Sequence, residues 1–155
     1  MASQRAIVEA LRGTWLFQSC THRELVRIGK LGEVLEVAAG EELVRRGERG
    51  MRFLTILEGR AVVERPGSEP KRIARGAAVG EIALLDGGPH SATVRATSSC
   101  TVFALRRDDF TDVLIDAPTV AIKIAEALAL RVRTSERELE RLRLAAKSAA
   151  PNGAR

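Results

Sequence analysis

The residues of this chain best suited to chemistry lie in one run, Gly80-Glu81-Ile82-Ala83-Leu84-Leu85-Asp86-Gly87-Gly88-Pro89-His90-Ser91-Ala92-Thr93-Val94. A glycine and a carboxylate open it. A single helical turn, a glycine loop and a strand follow. The start of a helical turn leaves backbone N–H groups without acceptors, and these attract anions. Gly80 lets a ligand or a neighbouring backbone approach closely. Glu81 beside those donors is an acceptor. It would repel a phosphate, but it accepts a hydrogen bond from a sugar hydroxyl. Donors for a phosphate next to an acceptor for a sugar suit a nucleotide. The other reading of Glu81 is a structural hydrogen bond within the protein, with no ligand involved.

Other chemistries find little support. The two histidines, His22 and His90, are far apart in sequence. There is no Walker loop, no cysteine pair at metal spacing, no HExxH and no Gly-x-Ser-x-Gly elbow. No carboxylates form a recognisable acid–base pair. The expectation is a protein that is not an enzyme and holds no metal.

The elements that must position the run divide into helix, strands and helix. Residues 4–12 (QRAIVEALR) carry apolar side chains at helical spacing. Thr21 and Glu24 form a capping-box pattern before a short helix, 22–30, with Leu25 and Ile28 facing inward. From residue 33 the period changes to short β-rich runs at 33–38, 42–47, 52–59, 60–65, 71–75, 92–97 and 100–106, punctuated by glycines. Turn signals every 8–12 residues indicate an antiparallel sandwich or roll. The fold class expected is α+β, mainly β. Asp108 is the expected N-cap of a helix over DFTDVLID. Pro118 opens a long helix over 118–147. On it Leu128, Val132, Ser135, Leu139, Leu142 and Ala146 fall at spacings of four and three, an a/d seam with one polar position. The N-terminal part of that helix is expected on the roll and the C-terminal part in a parallel homodimer. Residues 1–147 make one domain, and 148–155 read as a disordered tail.

Length and composition agree. At 155 residues and 45% hydrophobic, the chain can build one core. No apolar stretch approaches the roughly 20 residues of a membrane helix, and the start lacks the pattern of a signal peptide. Cys20 and Cys100 are too few for a disulfide scaffold and read as half-buried thiols in a reducing, cytoplasmic setting. The net charge of +5 is concentrated in residues 131–155, which hold seven basic and three acidic residues. That segment reads as a solvated helix face with pairs among Glu136, Glu140, Arg137 and Arg141, the other reading being contact with phosphates or anionic lipid. With no tyrosine and five other aromatics, a stacking platform for single-stranded nucleic acid is not supported.

The run 80–94 resembles the phosphate-binding cassette of the cyclic nucleotide-binding domain family, which includes the bacterial cyclic-AMP receptor protein, kinase regulatory subunits and gated channels. Leu16-Phe17 with Thr21 and Glu24-Leu25 resembles that family's entry helix. Gly40-Glu41, Arg46-Gly47-Glu48, Gly50 and Ile56-Leu57-Glu58-Gly59-Arg60 resemble its roll turns. The resemblance covers residues 8–145. It implies an eight-stranded β-roll flanked by helices. It further implies that Gly80, Ile82 and Ala83 offer backbone N–H groups, that Glu81 binds the ribose 2′-hydroxyl, and that Thr93 contacts the phosphate. Ser91 belongs to the same ligand-binding set. Thr134-Ser135 stands where the receptor-protein branch reaches the purine, so one copy's Ser135 could lie over the other copy's cavity. The other reading of Thr134-Ser135 is an exposed dipeptide.

One departure matters. The family carries an arginine after the cassette proline, and here that residue is His90. Arginine supplies a permanent charge and a bidentate fork. An unperturbed histidine is only about a quarter protonated at pH 7. Losing such a charge-assisted bond weakens binding about ten- to hundredfold. Arg95 shares the parity of Thr93 and is either a substitute cation or an outward-facing residue; the outward position is the reading taken.

The function expected is a stand-alone cyclic-nucleotide sensor, for cyclic AMP ahead of cyclic GMP, signalling to a protein partner in trans through its last helix. The alternative is a degenerate domain that binds no cyclic nucleotide and serves as a dimeric interaction module. If the chain is complete, the few residues past the long helix cannot form a recognition helix, so no DNA-binding domain is expected.

Overall fold

Thr21 and Glu24 close the reciprocal cap that their spacing predicts. Thr21 Oγ1 accepts from Glu24 N at 3.2 Å, and Glu24 Oε1 accepts from Thr21 N at 2.8 Å. Two donors that a helix start leaves bare are thereby satisfied. The cap begins α2 (His22–Leu31), which follows α1 (Gln4–Arg12) and a 3-10 turn at Trp15–Phe17. The computed structural model describes residues 2–150.

Eight strands follow: β1 (Glu33–Val37), β2 (Glu42–Val44), β3 (Arg52–Glu58), β4 (Arg60–Glu64), β5 (Lys71–Ala74), β6 (Ala78–Val79), β7 (Thr93–Ala96) and β8 (Cys100–Arg106). They form two four-stranded antiparallel sheets, ordered β1-β8-β3-β6 and β2-β7-β4-β5. The expected eight-stranded antiparallel roll is therefore present. β6 was not among the runs read from the sequence. It is two residues long, too short for an alternating period to show. The runs at 42–47 and 92–97 also shrink, to β2 and β7, because their ends bend into the loops that build the site.

β3 is buried on both faces from Phe53 to Leu57. Leu54 and Ile56 pack into the core between the sheets, with Val94, Ala96, Val102 and Ala104. Phe53 and Leu57 pack outward against the helices, with Leu11, Phe17, Leu25 and Phe110. A strand sandwiched this way needs apolar residues without alternation, and RFLTILE supplies them. Phe17 meets Phe53 and Phe110 edge-on, each at 5.7 Å between ring centroids. Burying each phenylalanine fully contributes roughly 1.5–3 kcal/mol. Cys20 and Cys100 are buried in these cores rather than half-buried. Burial pushes the Cys20 thiol up to about 11, so it stays protonated and inert.

Between β6 and β7 lies α3 (Glu81–Asp86), and the chain ends in α4 (Arg107–Asp116) and α5 (Pro118–Ala149). Asp108 does not cap α4. β8 runs straight into the helix, Arg106 holds the N-cap position, and Asp108 sits in the first turn. The junction is fixed by Arg107 N donating to Met51 O at 2.9 Å. α5 docks through Val120, Ile124 and Ala127. It is tied to α2 by Lys123 Nζ, 2.5 Å from Glu24 Oε1. Beyond Leu128 every described residue of α5 is exposed. The helix runs to Ala149, so Ser148 and Ala149 belong to it and not to a tail; 151–155 lie outside the described residues. The ion pair formed on its charged face is Glu138 with Arg141, at 2.6 Å, rather than the pairs read from the sequence. Among the described residues no helix is long and apolar enough to cross a membrane.

Candidate functional site

Gly80 turns the chain from β6 into α3 at φ +81°, a left-handed conformation that side chains disfavour. A Cβ there would lie 2.9 Å from the Arg52 carbonyl oxygen and 3.3 Å from Cε1 of His90. No side chain caps α3. The N–H groups of Glu81, Ile82 and Ala83 have no acceptor outside the helix among the described contacts. These are the bare donors that the sequence places at the start of the run.

The loop after α3 is stitched to the loop after β2. His90 N donates to Glu48 O at 2.9 Å, Gly47 N to His90 O at 2.9 Å, and Gly50 N to Gly88 O at 2.9 Å. Gly50 is where the second loop passes under α3. A side chain there would collide with Cβ of Ala83 and come within 3.1 Å of His90 Cε1. These bonds hold the His90 imidazole between Gly50 and Gly80, over the start of α3.

The result is a cavity of about 330 Å³ between the second sheet and α3. That lies at the small end of ligand sites. Val44, Val63, Ala92 and Val94 form an apolar wall. Gly80, Glu81, Ile82, Ala83, His90 and Ser91 line the opposite side. Six of the expected site residues thus converge on one space. Thr93 does not join them. It alternates with the inward-facing Val94, and its Oγ1 accepts from Arg46 N at 3.0 Å, which closes a loop instead. Arg95 shares its parity and pairs with Glu42 at 3.1 Å and Glu64 at 3.8 Å, which is the outward position. Thr134 and Ser135 lie on the exposed half of α5, where Thr134 Oγ1 donates to Leu130 O at 2.9 Å. Neither lines the cavity of its own chain.

The electrostatics of the cavity are unusual for an anion site. Burial pushes the His90 imidazole below the usual histidine value, and the Glu48 carboxylate offsets this only in part. Burial there favours the neutral imidazole. Asp86 is occupied by its own turn, with Oδ1 accepting from Gly88 N at 2.8 Å. Glu81 has a protein donor, Trp15 Nε1 at 3.4 Å from Oε1. Its other oxygen and remaining lone pairs stay open to a hydroxyl. The Trp15 ring in turn carries the Arg131 guanidinium of α5, 5.4 Å from its centroid.

Two features escaped the sequence reading. Trp15 reaches Glu81, and Arg131 reaches Trp15, across long sequence separations, and no local pattern marks such contacts. Arg65 at the end of β4 also lines the cavity. Strand alternation through Val63 was the signal that could have found it.

Residues 34–116, more than half of the chain, match the family model of the cyclic nucleotide-binding domain. The chain belongs to that family. A cyclic nucleotide-gated potassium channel of Mesorhizobium japonicum is 35% identical over 106 residues, 68% of this chain and 29% of the channel. A cAMP-dependent protein kinase regulatory subunit of Mycosarcoma maydis is 35% identical over 108 residues, 66% of this chain and 21% of the subunit. This cyclic nucleotide-binding domain thus spans less than a third of either relative. Among solved structures, the N-terminal domain of a transcriptional regulator from Streptomyces coelicolor A3(2) is similar at a TM-score of 0.75 and 25% identity, covering 83% of this chain and 93% of that one. The catabolite activator protein of Thermus thermophilus is similar at 0.67 and 25% identity, covering 83% of this chain and 63% of that one.

Proposed function

We propose that this cyclic nucleotide-binding domain is a non-enzymatic cytoplasmic sensor. It takes cyclic AMP in preference to cyclic GMP and passes the occupancy of its cavity through α5 to a partner protein. The observation that carries the reading is the convergence on one apolar-walled cavity of uncapped N–H donors, the Glu81 acceptor and the His90-Ser91 pair. The donors suit a phosphate and Glu81 suits the ribose hydroxyl. A relative named as a cAMP-dependent kinase regulatory subunit supports cyclic AMP and a regulatory role. The path to α5 is supported by Glu81, Trp15 and Arg131 in consecutive contact. A hydroxyl that draws Glu81 toward the cavity loosens its bond to Trp15 and with it the seat of Arg131.

The seam on α5 supports a parallel homodimer. Val132, Leu139 and Leu142 are each about half exposed in the single chain, and a second copy would cover them. In that dimer the Thr134-Ser135 pair of one copy would close the cavity of the other.

Trp15 is the only tryptophan, and there is no tyrosine, so its emission reports on Glu81 directly. Titration of nucleotide-free protein with cyclic AMP should change that emission saturably, with cyclic GMP acting only at higher concentration. No change with either ligand up to millimolar concentration contradicts the proposal. One observation favours the reading of a retired cavity in a dimeric interaction module: Glu81 already accepts a hydrogen bond from Trp15 within the protein. In that case the dimer persists and neither nucleotide binds.

A further inference from the structure

Arg65 occupies a position in this cavity that the matched cassette does not include. Val63 stands opposite Val94 across β4 and β7, and Glu64 stands opposite Thr93. Val63 and Val94 line the cavity, while Glu64 reaches Arg95 on the outer face at 3.8 Å. One residue past the end of that pairing, Arg65 has the parity of Val63 and lines the exposed mouth of the same cavity as His90, Ser91 and Ala92. Arg65 also opens a tight turn, its carbonyl accepting from Ser68 N at 3.2 Å. Pro66 and Gly67, with φ +74° at the glycine, give that turn the type II pattern and fix where the arginine leaves the strand.

Among the described residues Arg65 has no ion pair and no side-chain hydrogen bond. It is the one permanently charged cation lining the cavity. The other base there is His90, and the carboxylates of Glu81 and Asp86 add negative charge. Without Arg65 the charged side chains of the lining are carboxylates, and an anion would be left to the backbone N–H groups of α3 and to His90. We propose that Arg65 is the guanidinium that pairs with the ligand's phosphate, taking over the charge that His90 does not permanently supply. The inference rests on cyclic-nucleotide binding at this cavity. It assigns a specificity residue from β4, outside the run 80–94. A guanidinium on a turn at the rim closes over the phosphate from the side opposite α3.

The test uses the full chain and four variants, Arg65→Gln, Arg65→Lys, His90→Arg and the Arg65→Gln/His90→Arg double, titrated with cyclic AMP and with uncharged adenosine. Arg65→Gln should weaken cyclic AMP binding about tenfold or more, the loss expected for a charge-assisted bond. It should leave adenosine within about twofold, since adenosine carries no charge to lose. Arg65→Lys should recover part of the affinity. In the His90→Arg background the same loss of Arg65 should cost markedly less, because one permanent charge is restored. Unchanged cyclic AMP binding by Arg65→Gln overturns the assignment alone. So does an equal loss for adenosine, which would mean a structural role, and so does an undiminished penalty in the double variant. Wild-type protein that binds no cyclic nucleotide overturns the sensor reading as well.

Discussion

His90 is the residue on which the response to pH turns. Burial holds its folded value below the ordinary histidine value, so the protein favours the neutral imidazole. That preference contributes stability above the unfolded value near 6.5, and the contribution is lost as pH falls through the folded value. Thermal melts of nucleotide-stripped protein should therefore drop as pH falls below about 6.5, and His90→Gln should flatten that drop. An anionic ligand reverses the preference. Its field raises the imidazole value, so binding takes up a proton and tightens as pH falls from 8 to 6. Calorimetry in buffers of different ionisation enthalpy reads that proton directly. Gly50 makes a second claim at this scale. Gly50→Ala must push α3 away from the loop, because the new Cβ collides with Ala83. It should cost about 1–3 kcal/mol in a denaturant melt, and nucleotide affinity should fall with it.

Among the elements, α5 depends on one charge pair as well as on its apolar stripe. Lys123 and Glu24 are 27% and 16% exposed at the side chain and touch across α5 and α2. Burial works to raise the Glu24 carboxyl, but hydrogen bonds from Lys123 and Thr21 outweigh it and hold the value below the usual one. The stability this contributes is present above the usual carboxylate range near pH 4 and is lost on further acidification. Lys123→Met should leave Glu24 half-buried and unpaired, a loss of about 1–2 kcal/mol in chemical denaturation at pH 7. Elements with local signals were legible in the sequence. The Thr21-Glu24 cap, the Pro118 start and the glycine turns each follow from one or two neighbouring residues. β6 was not legible, because two residues show no period. The start of α4 lies before the expected Asp108 cap because Arg107 is held by Met51, just before β3, and not by a local cap. The cassette run was legible because its residues are contiguous, and six of the residues singled out within it line one cavity. Arg65 reaches that cavity from elsewhere in the chain and Trp15 reaches Glu81 at its edge, and only the fold brings them in.

At the scale of the whole molecule, the projecting part of α5 is the feature a lone copy leaves unexplained. From Ala129 to Ala149 it is exposed throughout. At 1.5 Å per residue that is roughly 30 Å of helix with an apolar seam facing solvent. In the proposed homodimer a second copy covers the seam, so sedimentation should report a dimer. Leu139→Glu/Leu142→Glu should convert it to a folded monomer, since both residues lie far from the roll core. If the partner's Ser135 completes the cavity, the same double variant should also weaken nucleotide binding, whereas an unchanged affinity would confine the site to one chain. On the proposed reading the roll, the cavity and the helix form one device: ligand held by Arg65, α3 and the loop to β7, sensed by Trp15, and reported along α5.

The most direct measurement of that account is a calorimetric titration of nucleotide-stripped protein with cyclic AMP at pH 6 and at pH 8. Binding in the micromolar range or tighter at pH 6, weaker at pH 8 and accompanied by proton uptake, is the result predicted. No heat at either pH up to millimolar cyclic AMP would contradict it.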